Sequence, residues 1–170
     1  TYNVSDDYGN AAEPLTRTVN VVDTSTPVIT LLGEPGITLE CGSAYADPGV
    51  TALDPCEGDL GDAVTVTGAV EPNVPGEYTL AYDVVDSAGN TAAQVTRTVT
   101  VVDTTAPVIT LVGPATVEVA CGAAYEDAGA NATDACDGDL SEAVGTADSV
   151  DTSSPGEYAI TYSVSDAAGN

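Results

Sequence analysis

From Tyr78 to Val84 the chain alternates strictly, with Tyr78, Leu80, Tyr82 and Val84 on one side and Thr79, Ala81 and Asp83 on the other. A period of two over this length predicts a half-buried strand. Pro75-Gly76 breaks the chain before it. After it, Asp86-Ser87-Ala88-Gly89-Asn90 supplies turn chemistry: an Asp able to cap backbone N–H groups and a Gly free to take positive φ. Gln94 to Val102 is β-rich again, so the unit reads as a hairpin. Four further apolar runs precede it: Val28 to Leu32, Ile37 to Cys41, Val50 to Leu53 and Val64 to Val70. The first three are bounded by Gly, Pro or Asp, and none of the four has helical periodicity. Six or seven short strands at regular spacing predict an all-β antiparallel sandwich.

The hairpin returns as Pro155-Gly156-Glu157-Tyr158 through Asp166-Ala167-Ala168-Gly169-Asn170, and its end opens the chain at Thr1 to Asn10. The offset is 80 residues without a gap, carrying Arg17 onto Arg97, Cys41 onto Cys121, Tyr45 onto Tyr125, Cys56 onto Cys136 and Asp59 onto Asp139. Such a period defines a tandem array. The natural boundary is the segment Asp23-Thr24-Ser25-Thr26-Pro27, repeated as Asp103-Thr104-Thr105-Ala106-Pro107. On that phase residues 1–24 are the last two strands of a preceding repeat, 25–104 a complete repeat, and 105–170 a repeat without its final strand. The expectation is a window of a longer repetitive protein. The alternative is a subunit whose open edge is filled by a neighbour's strand.

Charge narrows the partners. With 27 acidic residues against two basic ones, a net charge of −25 argues against nucleic-acid phosphates and against direct contact with anionic membranes, and it favours divalent cations. The four cysteines form two identical pairs, Cys41/Cys56 and Cys121/Cys136, each fifteen residues apart. This arithmetic predicts one disulfide within each repeat and hence an extracellular or cell-surface location. Buried free thiols or a metal site are the competing readings, but zinc is disfavoured by the lack of His and of C-x-x-C.

Nothing in the chain points to an enzyme. There is no His or Lys, and the carboxylates recur in both repeats, whereas an active site occurs once. No cofactor is required. Calcium is the candidate ligand, because Asp54, Glu57 and Asp59, matched by Asp134, Asp137 and Asp139, put three carboxylates into six loop residues. A second candidate lies at the junctions, where Asp23 or Asp103 can meet a turn carboxylate of the adjoining domain. Against both stands turn capping by Asp54, Asp86, Asp134 and Asp166. Arg17 and Arg97, the only cations, fall in phase with apolar neighbours, so each is expected to lay its stem on apolar surface or to join an ion pair, with Glu77 as a candidate partner.

Several motifs recur together: D-T-x-x-P-V-I-T-L from Asp23 or Asp103, C-G-x-A-Y-x-D-x-G from Cys41 or Cys121, D-x-C-x-G-D-L from Asp54 or Asp134, P-G-E-Y and D-x-A-G-N. As a set they resemble the bacterial Ig-like repeats of large surface proteins, which are related to hyalin-repeat modules. Gly76-Glu77-Tyr78-Thr79-Leu80 is similar to the start of strand F in immunoglobulin domains, which implies a tyrosine corner at Tyr78. Leu80 and Ile160 stand where that family carries cysteine. The resemblance implies tandem immunoglobulin-like sandwiches that partner neighbouring repeats of the same protein. Such repeats serve as spacers, as adhesins and as appendages to secreted enzymes. For this chain the readings are the shaft of an extracellular fibre or long surface protein, an adhesin module for a glycan or protein, or a subunit that self-assembles into a filament by strand exchange. The shaft is the expected role, since short linkers between sandwiches make a semi-rigid rod.

Overall fold

The computed structural model describes residues 2–170. Its first repeat holds β1 (Val28–Leu31), β2 (Gly36–Glu40), β3 (Val50–Asp54), β4 (Gly58–Asp59), β5 (Thr65–Thr67), β6 (Gly76–Asp83) and β7 (Val95–Val102). A single 3-10 turn, Gly61–Ala63, separates β4 from β5. The strands form two sheets, one ordered β1-β3-β4 and the other β2-β7-β6-β5. β6 and β7 are the hairpin, antiparallel from Gly76 opposite Val101 to Tyr82 opposite Val95. β2 departs from an all-antiparallel arrangement: it runs parallel to β7, with Ile37 beside Val99 and Leu39 beside Val101. β7 is therefore the central strand that holds β2 and β6 together.

The alternation along β6 decides the packing. Leu80, Tyr82 and Val84 are buried and meet Ile29, Ala52 and Ala92 in one cluster, which Leu31, Tyr45, Val50 and Val95 complete from the partly buried rim. With two tyrosine rings, Tyr82 and Tyr45, and otherwise only aliphatic side chains, this is a thin core, so hydrogen-bonded corners carry part of the specification. The Tyr78 hydroxyl donates to the Val74 carbonyl at 2.8 Å, and Tyr158 repeats the contact with Ser154 at 3.0 Å. Those are the tyrosine corners. In the D-x-A-G-N turn, Asp86 accepts from the Asn90 backbone N–H at 2.7 Å and from its side-chain amide at 2.8 Å. Gly89 closes that turn at φ +92°.

Arg97 is fully buried and forms its ion pair with Asp47, not with Glu77. Its second terminal nitrogen donates to the Leu32 carbonyl at 2.5 Å and the Gly49 carbonyl at 3.2 Å. The Tyr82 hydroxyl donates to both Asp47 oxygens, at 2.9 and 2.8 Å. Burial, with that bond to an anion, pushes the Tyr82 hydroxyl up to about 12. Glu77 lies on the outward face of β6 and is exposed, so the alternation that buries Leu80 excludes it.

The second repeat contains β8 (Val108–Leu111), β9 (Ala130–Asp134) and β10 (Gly138–Asp139) in one sheet and only β11 (Gly145–Ala147) with β12 (Thr161–Ser163) in the other. Residues 116–120 and 156–160, the counterparts of β2 and the start of β6, form no ladder. At the other end, residues 2–24 make a loose hairpin with isolated bridges at Tyr2–Leu15 and Ser5–Ala11 rather than two strands. Val19, Val21 and Val22 there are exposed.

Candidate metal centre at the joint between repeats

The two repeats meet end to end through the segment after β7. Glu40, the last residue of β2, receives hydrogen bonds from the Thr104 backbone N–H at 2.8 Å and from the Thr104 and Thr105 hydroxyls at 2.9 and 2.8 Å. These donors hold the Glu40 carboxyl below its usual value. Backbone approaches closely here as well: a Cβ on Gly42, whose φ is +80°, would lie 3.0 Å from the Ala135 carbonyl oxygen.

Cys41 follows Glu40 and is disulfide-bonded to Cys136, across the joint and 95 residues away. The expected pairs Cys41/Cys56 and Cys121/Cys136 are therefore corrected: Cys56 and Cys121 are free and exposed. The reason is polarity of the sandwich. β2 runs parallel to β7, so Cys41 emerges beside Val102 at the outgoing pole, where its N–H donates to the Val102 carbonyl at 2.7 Å. Cys56 lies at the incoming pole, 3.7 Å from the Ser25 hydroxyl. The two cysteines of one repeat occupy opposite ends.

Three acidic residues from three segments converge beside this disulfide. Asp103 from the linker, Asp134 from the end of β9 and Asp166 from the turn after β12 each offer an oxygen within 4.8 Å of the others. Oxygens this close together can share one calcium ion, whose calcium–oxygen distances are about 2.4 Å. Asp134 Oδ1 caps the Cys136 and Asp137 N–H groups at 2.7 and 3.0 Å, while Oδ2 is buried without a hydrogen-bond partner. Burial, and then the neighbouring Asp134, Asp166 and Asp137 carboxylates, raise the Asp103 carboxyl above its ordinary value, against a Thr105 N–H that lowers it. Carboxylates held together in this way repel one another unless a cation intervenes.

The incoming pole of the first repeat repeats the arrangement. Asp23, Asp54 and the Cys56 sulfur converge there, with their ligand atoms within 4.8 Å of one another. Asp54 is 4% exposed, and its Oδ2 again has no partner. The three-carboxylate loops expected from sequence do not assemble. Asp59 accepts from the Gly61 N–H at 2.9 Å and Asp139 from the Ser141 N–H at 2.9 Å, each just ahead of a 3-10 turn. Glu57 turns to Ser87, whose N–H donates to it at 3.0 Å, and Asp137 to the Ala167 N–H at 2.6 Å. Of the six loop acids, Asp54 and Asp134 alone contribute to the groups of three carboxylate or thiol ligands that include an orphaned oxygen, and the junctional Asp23 and Asp103 join them. Asp47 carried a usable signal, since it recurs as Asp127 inside the C-G-x-A-Y-x-D-x-G motif and the first repeat has one cation, Arg97, to neutralise; Glu40 carried none, because Ala120 stands at its equivalent position.

Residues 29–101 and 109–170 each match the family of Ig-like domains of bacterial surface proteins. The chain belongs to that family. These bacterial surface Ig-like repeats show no match among curated proteins. Among solved structures, they resemble the lipoprotein BT2262 from Bacteroides thetaiotaomicron at 30% identity and a TM-score of 0.42, over 51% of this chain and 45% of that one. They also resemble the ZmpB structure from Clostridium perfringens containing CBM51-2 in complex with GlcNAc and INT domains, at 24% identity and a TM-score of 0.39, over 52% of this chain and 20% of that one. The chain spans less than half the length of either. No helix among the described residues is long and apolar enough to cross a membrane.

Proposed function

We propose that this pair of bacterial surface Ig-like repeats is structural: a length of the shaft of an extracellular fibre or long cell-surface protein, stiffened at its joint by a disulfide and by calcium. The observation that carries this reading is the Cys41–Cys136 bond, a covalent strut laid across the joint beside the linker. A covalent brace between domains has little use in a protein that needs its domains to move. The Glu40 clamp and the carboxylates of Asp103, Asp134 and Asp166 support the same role, because linker, loop and turn would share one ion. No catalytic step is assigned to any residue.

Small-angle scattering of the whole chain tests the reading, first with calcium and then with excess chelator, with the disulfide intact and in the Cys41→Ser variant. The expected result is a long maximum dimension in calcium, a looser profile after chelation, and a further loss of rigidity in Cys41→Ser. Identical profiles under all conditions would refute the brace. Asp134→Asn separates the two contributions: it should abolish the response to calcium and leave the disulfide formed.

A further inference from the structure

We propose that the carboxylates gathered around the Cys41–Cys136 bridge guard it against reduction, turning away thiols that carry negative charge and so selecting which reductants open the joint. Cys41 is 3% exposed, whereas Cys136 is partly exposed, so a reductant meets the bridge at the Cys136 sulfur. That sulfur and side-chain oxygens of Asp103 and Asp137 lie within 4.8 Å of one another. Oxygens of Asp103, Asp134 and Asp166 form a second group within the same distance. Four carboxylates, from the linker, the end of β9, the loop that follows it and the turn after β12, are thus collected beside the one sulfur of the pair that solvent reaches.

Opening the bridge takes two exchange steps. A thiolate attacks the Cys136 sulfur, forms a mixed disulfide there and expels Cys41 as a thiolate, which takes a proton from water. A second thiolate then attacks the reductant's own sulfur in that mixed disulfide. The reductant leaves as its symmetrical disulfide, and Cys136 is released as a thiolate and protonated in turn, so two small thiols are oxidised and the two bridge sulfurs reduced. Each step brings negative charge to a place where Asp103 and Asp137 already hold it. The departing Cys136 thiolate finds little compensation, because its sulfur lies 3.9 Å from the Asn73 carbonyl oxygen, another acceptor, and the Cys136 N–H is taken by Asp134 at 2.7 Å. A thiolate is stabilised by N–H donors or cations beside it. Among the described residues no salt bridge reaches the four acids, and Arg97 is buried against Asp47.

The charge of the reductant is therefore the selective variable. A thiol that bears a carboxylate attacks as a dianion, one that bears an ammonium group as a zwitterion without net charge. Four carboxylates acting together on one approaching charge change its rate by roughly tenfold at low salt, and the effect collapses in molar salt, where the Debye length is about 3 Å. Glutathione, with two carboxylates and one ammonium group, falls in the excluded class. The guard needs no bound ion, so it stands on the positions of these side chains whether or not calcium occupies the joint.

The test uses the whole oxidised chain in low-salt, mildly alkaline buffer with chelator, so that its result is independent of any ion at the joint. Cys56 and Cys121 are alkylated beforehand. Reduction by cysteamine, 2-mercaptoethanol and 3-mercaptopropionate is then followed by acid quenching, a second alkylation and mass spectrometry of the Cys41 and Cys136 peptides. Dividing each rate by that of the same thiol on a small uncharged disulfide removes intrinsic reactivity. The expected order is cysteamine, 2-mercaptoethanol, 3-mercaptopropionate, with roughly tenfold or more between the ends that shrinks to within about threefold in molar salt. Asp103→Asn combined with Asp137→Asn keeps an acceptor oxygen at both places; it should accelerate the anionic thiol by about fivefold or more and leave the neutral one within about twofold. Equal normalised rates for the three thiols at low salt would overturn the proposal. So would a double variant that speeds all three alike, since that is the mark of a loosened joint and not of a lost charge.

Discussion

The same substitution made 80 residues apart isolates what the buried ion pair contributes. Asp47→Ala removes the counter-ion of Arg97, whose side chain is fully buried and whose remaining acceptors are the Leu32 and Gly49 carbonyls. Stranding a buried charge costs roughly 3–5 kcal/mol. Asp47 is itself 26% exposed, so water can enter beside the vacated position, and the lower part of that range is expected. Asp127→Ala in the second repeat deletes hydrogen bonds from Tyr125, Tyr162 and the Gly129 N–H but strands no cation. In this half-open setting that loss is about 1–2 kcal/mol. Hydrogen exchange read by mass spectrometry resolves the repeats separately, through peptides covering Val95–Val102 and Tyr158–Ser163. Thermal melts should agree, at roughly 4–8 °C per kcal/mol for a domain of this size. Equal losses in the two repeats, within about 1 kcal/mol, would refute the claim that the pair with Asp47 is what makes a buried arginine tolerable.

Further outcomes follow from the joint and the core. Alkylation without reduction should label Cys56 and Cys121 only, and selective loss of the Cys41–Cys136 bond should destabilise the chain by about 4–5 kcal/mol in the chain-entropy model for a closed loop of this length, measured by denaturant unfolding of the alkylated protein. Gly42→Ala should loosen the joint by about 1–3 kcal/mol, because φ +80° and a carbonyl at 3.0 Å both oppose a side chain; Gly122→Ala shares the φ but meets nothing within 4 Å and should cost less. Alkaline unfolding should track Tyr82: its folded value of about 12 lies above the ordinary 10, so its contribution is full below pH 10 and is lost as pH rises to 12. Absorbance of tyrosinate against pH, with the thiols blocked, checks this. At acid pH the sign reverses for Glu40, whose lowered carboxyl holds the joint above its ordinary value of 4.5 and releases it as pH falls further.

The strands were legible because burial on one face leaves a period of two, and Leu80, Tyr82 and Val84 are buried as that period requires. Turn chemistry was legible for the same local reason: Asp86 and Gly89 make their contacts within five residues. The cysteine pairing was not. In an array of period 80, a spacing of 15 within one repeat and one of 95 across two are the same offset, so counting cannot separate them. Only the direction of β2 relative to β7 does, and a parallel pairing between distant strands leaves no local trace in sequence. The acidic loop misled in the opposite way. Asp59 and Asp139 each accept from the backbone N–H two residues on, a short-range contact that the residue types alone do not distinguish from a place among metal ligands. The junctional aspartates Asp23 and Asp103 came into view because they punctuate the repeat boundary.

The Cys41–Cys136 bridge also fixes how the chain answers to tension. When its two ends are pulled apart, force arriving at Cys41 crosses the sulfurs to Cys136 and bypasses everything between them. A separation of 95 residues hides on the order of 300 Å of contour from extension. Strands β3 to β9 can melt, or the linker can be nicked by a protease, and the two ends stay joined. Single-molecule pulling would register the difference as one short extension in the oxidised protein and a much longer one after reduction.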